Sequence, residues 1–145
     1  LDDSSSYTAV FLKVGSIVLY TGSDYTTHNP NTTYSAYREC AISSDASMIA
    51  VATHGSDASA GFVWTTTDAG SHWHDRSPAG LASYHAIAVG SSSHLAVGVY
   101  VGELYTSEDA GVTWLDSGLA NGNWGNGGYS GIAASEGSAF FAIAY

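Results

Sequence analysis

Apolar and polar positions along this chain change over in short runs, never at the 3.6-residue spacing of a helix. Ile17-Val18-Leu19-Tyr20-Thr21, Phe62-Val63-Trp64-Thr65 and Leu104-Tyr105-Thr106 are apolar-aromatic runs of strand length. Small-residue runs, Ala50-Val51-Ala52, Ala86-Ile87-Ala88 and Ala96-Val97-Gly98, lie between clusters of Gly, Ser, Asn and Asp. β-Branched and aromatic residues favour extended backbone, and such polar clusters make turns. The pattern predicts strands over residues 7–14, 17–21, 40–43, 48–53, 62–66, 72–75, 86–89, 95–100, 103–106, 113–116, 131–134 and 140–145. Residues 26–33 read as a polar loop or irregular strand that breaks at Pro30. The prediction is an all-β chain.

The polar punctuation repeats. Ser107-Glu108-Asp109-Ala110-Gly111-Val112-Thr113-Trp114 has a near copy 41 positions earlier (109 − 68), Thr66-Thr67-Asp68-Ala69-Gly70-Ser71-His72-Trp73. A worn copy, Gly22-Ser23-Asp24-Tyr25-Thr26-Thr27-His28, lies another 44 back (68 − 24) and lacks both Gly and Trp. Each copy follows an apolar strand. In such a turn Asp accepts backbone N–H groups, Gly supplies φ > 0, and Trp anchors the next strand against a neighbouring repeat.

Ser/Thr-x-Asp-x-Gly-x-Thr-Trp resembles the Asp-box, or bacterial neuraminidase repeat, of β-propellers. The resemblance implies four-stranded antiparallel blades and a structural role for Asp24, Asp68, Gly70, Trp73, Asp109, Gly111 and Trp114, on turns remote from any catalytic face. The family includes sialidases, xyloglucan-cleaving glycosidases, sortilin-like receptors and photosystem assembly factors, so the motif does not select an activity. Divided by repeat, the chain reads as one region: a partial blade over 7–36, blades over 37–80 and 81–121, and a partial blade over 122–145. Closed propellers have about 4–8 blades. The expectation is an incomplete ring whose out-of-phase ends complete a neighbour, giving a closed homo-oligomer or a head-to-tail filament. A slice of a longer propeller is the alternative.

Composition narrows the function classes. Charged residues are 11% of the 145, and Gly (17), Tyr (10) and Trp (4) suit turns and strands better than helices. Net charge is −10, with Lys13, Arg38 and Arg76 the only Lys and Arg, so nucleic acid and anionic membrane surfaces are not expected as partners. No apolar run reaches membrane-spanning length. Cys40 is single, which rules out an intrachain disulfide and suits a small buried hydrophobe. The chain opens on Leu1 without a signal-like segment and reads as a processed or excised piece.

Candidate chemistry is sparse. A sialidase-like site needs three Arg to grip a carboxylate, and the chain has two. Asp45, Asp57, Asp75, Asp116, Glu103 and Glu136 are available acids, but none stands in a glycosidase motif. His72 and His74 would share a strand face, one or two ligands short of a metal site. No cofactor or metal is expected. Trp124 and Tyr129, with Asn123 and Asn126 beside them, form a candidate glycan- or peptide-binding loop. Asn31-Thr32-Thr33 is a glycosylation sequon. The reading is a non-catalytic, self-associating structural or interaction protein, extracellular or at the cell surface. A lectin-like or glycosidase-derived carbohydrate binder is the alternative.

Overall fold

The computed structural model describes residues 8–13, 16–21, 24–30, 36–54, 61–78, 80, 82–91, 93–100, 102–119, 129–135 and 141–144. Among them the strands are β1 (Thr8–Lys13), β2 (Ser16–Thr21), β3 (Asp24–His28), β4 (Tyr37–Ile42), β5 (Ile49–Thr53), β6 (Val63–Thr66), β7 (His74–Asp75), β8 (Tyr84–Val89), β9 (Leu95–Val99), β10 (Leu104–Ser107), β11 (Leu115–Asp116), β12 (Gly131–Ala134) and β13 (Phe141–Ala144). The described residues contain no helix, and so none long and apolar enough to cross a membrane.

Strands form four antiparallel sheets in plain sequence order: β1-β2-β3, β4 to β7, β8 to β11, and β12-β13. β4, β8 and β12 pack successively against one another as inner strands, while β7 and β11 lie at the outer edges. The first sheet corresponds to the second, third and fourth strands of a blade. Ile17 pairs with His28 across β2 and β3, as Val63 bonds Arg76 across β6 and its outer neighbour.

Strands β5 and β9 are buried on both faces, because a sheet covers each side; that is why their runs of Ala, Val, Gly and Leu do not alternate with polar residues. Met48, Ala50, Ala52 and Val63 pack on Tyr84, Ile87, Leu95 and Val97 of the following sheet. Ile17 and Leu19 pack in the same way on Ile49 and Val51. Cys40 joins this second cluster, and burial pushes its thiol up to about 11.

Two expectations of the sequence are corrected here. Asp24 forms no Asp-type turn: it opens β3, paired with Thr21, so only two residues connect β2 to β3. A connection that short has no room for the seven-residue turn between β6 and β7 or between β10 and β11. β7 and β11 are also shorter than their sequence pattern, because His72 and Thr113 belong to the preceding turns.

The spacing between sheets depends on two glycines. Gly70 has φ +85° and a Cβ there would lie 2.8 Å from Leu19 Cδ1 and 2.9 Å from His28. Gly111 has φ +83° and would set its Cβ 2.9 Å from that of Arg76. Gly118 shares the left-handed conformation (φ +70°) but faces open space. Gly111→Ala should therefore cost about 1–2 kcal/mol of backbone strain plus about 1–3 kcal/mol of overpacking, and Gly118→Ala the strain alone. Urea unfolding of the two variants measures the difference, and equal losses would show that the close approach carries no weight.

Candidate functional site

The Asp109 turn is built from its own side chains. Ser107 Oγ donates to Asp109 Oδ1 at 2.9 Å and accepts the Gly111 N–H at 2.8 Å. Asp109 Oδ1 accepts the Thr113 N–H at 2.8 Å, and Oδ2 accepts the Thr113 hydroxyl at 2.6 Å. The Asp68 turn repeats the network with other chemistry. Thr66 replaces the serine, and the His72 imidazole, its Nδ1 2.6 Å from Asp68 Oδ2, replaces the threonine hydroxyl. In both turns the Ala before the Gly is also left-handed, Ala69 at φ 54° and Ala110 at φ 61°. Sequence reasoning assigned that conformation to Gly alone.

These bonds stabilise the carboxylates. Hydrogen bonds from the Thr113 hydroxyl and amide hold Asp109 down to about 2, and those from His72 take Asp68 lower still. Asp45, bonded by Ser43 and Ser47 in the β4–β5 turn, also sits at about 2. Asp75 and Asp116 accept from Ser77 and from the Gly118 amide. Of the four candidate acids among the described residues, Asp45, Asp75 and Asp116 are thus spent on turns and connections. Asp57 and Glu136 lie outside the described residues.

Each turn delivers its tryptophan to the preceding sheet. Trp114 packs on the core between the two four-stranded sheets, and its Nε1–H donates to the Arg76 carbonyl at 2.7 Å. Trp73 packs on the Ile17–Val51 cluster, but its Nε1 is buried with no hydrogen-bond partner. A tyrosine series went unnoticed in the sequence. Tyr37, Tyr84 and Tyr129 stand at or just before the inner strands. Their hydroxyls donate to Asn29 Oδ1 (2.6 Å), Gly80 O (2.8 Å) and Leu119 O (2.5 Å), tying each inner strand to the connection leading into it. Tyr129 is therefore corrected from ligand contact to core. It is 1% exposed, and its ring lies so close to Gly98 that a Cβ there would be 2.5 Å away. Asn31, Asn123, Trp124 and Asn126 lie outside the described residues.

The paired histidines are also corrected. His72 is held by Asp68 in the turn and His74 is exposed on β7, so they do not share a strand face. The described residues contain no group of three or more His, Cys, Asp or Glu placed to hold a metal.

A different cluster forms where β4 and β8 begin and β5 and β9 end. Tyr37 pairs with Thr53 and Glu39 with Ala52, leaving Arg38 as the extra residue of a bulge. In β8, Tyr84 pairs with Val99 and Ala86 with Gly98, so His85 is the corresponding extra residue. Bulges re-aim side chains that a regular ladder would alternate between faces. Here they bring His85 near both His54 (centroids 5.9 Å apart) and Tyr100 (4.5 Å apart, planes at 26°). Burial, then the charges of Arg38 and His54, lower the pKa of His85. Beneath them Glu39 Oε2 accepts the Ile87 N–H at 2.8 Å, linking the two sheets; burial raises its pKa against the pull of that amide and of Arg38.

No family model and no curated protein matches this chain. Solved structures do. A GH74 enzyme from Niastella koreensis is 20% identical with a TM-score of 0.56, over 70% of this chain and 20% of the other. YCF48 from Cyanidioschyzon merolae is 17% identical with a TM-score of 0.51, over 81% of this chain and 38% of the other. Both are β-propellers, and the fold of this chain is a β-propeller fold. The chain spans about a fifth of one and under two-fifths of the other.

The turns and the bulge cluster respond to pH in different ranges. Asp45 and Asp109 are lowered, so their contribution is complete above the unfolded carboxylate value of about 3.9 and is lost as pH falls towards about 2. Asp109→Asn should flatten the stability profile across that interval, measured as the urea midpoint. His85 is lowered too, so its neutral form belongs to the folded state. Stability from it is complete above about pH 6.5 and falls as pH drops through the depressed value. His85→Phe keeps a ring on Tyr100 and should lessen the loss between about pH 7 and 5. An unchanged slope would show that His85 does not titrate on unfolding.

Proposed function

We propose that this chain is a non-catalytic propeller module whose ring is completed by the blades of a second copy, and which presents strand-end residues to a partner. The observation that carries the reading is the commitment of acids to structure. Asp45, Asp68, Asp75, Asp109 and Asp116 each accept hydrogen bonds within their own turn or connection. A glycosidase needs two carboxylates free to face each other across the scissile bond. The described sheets, of three, four, four and two strands, amount to fewer blades than the usual ring. Pairing with further strands would satisfy the backbone groups at the sheet edges. The Asn31 sequon fits an extracellular or cell-surface setting.

Light scattering on the purified chain tests the assembly: the expected mass is at least twice the chain's 15.0 kDa. A folded species at the single-chain mass overturns completion by a second copy. Release of reducing sugar from xyloglucan or another β-glucan would overturn the non-catalytic reading.

A further inference from the structure

We propose that Arg38, His54, His85 and Tyr100 form a binding site for a small carboxylate carried on a flat ring, an aromatic acid in its simplest form. The site stands on three observations. Bulges at equivalent places in two consecutive inner strands present Arg38 and His85. A bulge sacrifices ladder hydrogen bonds, and its recurrence at both positions marks side-chain placement as what is gained. The His85 ring is tilted against His54 and stacked on Tyr100, and Tyr100 is 36% exposed. A flat ligand can join that group of rings by offset stacking.

Charge completes the case. The chain carries 13 acids against three Lys and Arg, yet Arg38 is exposed and makes no ion pair among the described residues. Seven of the nine described acids lie elsewhere in the blades: Asp45, Asp68, Glu108 and Asp109 in turns at the opposite ends of the sheets, and Asp24, Asp75 and Asp116 on outermost strands; Glu103 lies in the same connection as Tyr100, its carbonyl accepting the Val99 N–H at 3.1 Å. Glu39, next to Arg38, spends Oε2 on the Ile87 amide. A guanidinium fork matches a carboxylate with two parallel hydrogen bonds, and neighbouring imidazoles add donors once protonated. Among the described residues, the groups acting on His85 are Arg38 from β4, His54 after β5 and Tyr100 after β9. Arg38 and His54 disfavour the His85 imidazolium, so a bound anion offsets that repulsion.

The probe is benzoate, titrated into the full chain by calorimetry and by NMR of the histidine C2 protons, at pH 8 and pH 6. Saturable binding that tightens at pH 6, with an upward shift of the His85 titration, is the expected result. Acetate lacks the ring and benzyl alcohol lacks the charge, so each should bind at least about tenfold more weakly. Arg38→Gln and Tyr100→Ala should each weaken benzoate by a similar factor while the far-ultraviolet circular dichroism stays unchanged. No saturable binding of benzoate, equal affinity in Arg38→Gln, or affinity independent of pH would each overturn the site. These readouts do not depend on whether the chain is single or paired.

Discussion

Adjacent blades can approach only as far as the turns after β6 and β10 let them, and those turns work because the glycine in each has no side chain. Gly70 and Gly111 sit against Leu19, His28 and Arg76 at distances that leave no space for a methyl group. The Ser or Thr hydroxyl and the Asp carboxylate fix the backbone that places the glycine there. The tryptophan three residues on can then reach the neighbouring core. Sheet spacing, core packing and the relative position of the inner strands all follow from that contact.

Much of this was legible in the chain. The interval between Asp68 and Asp109, with an apolar strand before each, specifies the blade unit because every part of the motif has a local cause. The hydroxyl, carboxylate and glycine act within a few residues, and sequence spacing reports such contacts directly. His72 shows how far the rule stretches, since an imidazole fills the position of a hydroxyl without disturbing the network. Asp24 shows where it fails. Its turn has shrunk to a two-residue connection, which residue identity at one position could not reveal.

The cluster around His85 was not legible, and the reason is geometric. Arg38 and His54 are 16 positions apart in the chain (54 − 38), and His85 belongs to the next blade. A register shift of one residue in each inner strand brings them together, and an apolar-polar pattern does not report such shifts. Tyr129 misled for the opposite reason. Its aromatic-Asn surroundings resemble a ligand loop, whereas its partners, Gly98 and the Leu119 carbonyl, are distant in sequence. The tyrosine series could have been found by aligning the repeats on their inner strands instead of on their turns.

The bond from Glu39 to the Ile87 amide bears on how the molecule comes apart. A sheet that detached from its neighbour would strand a half-buried carboxylate on one side and a backbone donor on the other, each needing water at once. Stacked repeats held only by apolar contact can melt one at a time, but repeats whose interfaces carry shared polar bonds couple more strongly. That shared bond favours loss of the two four-stranded blades together over melting of either one alone.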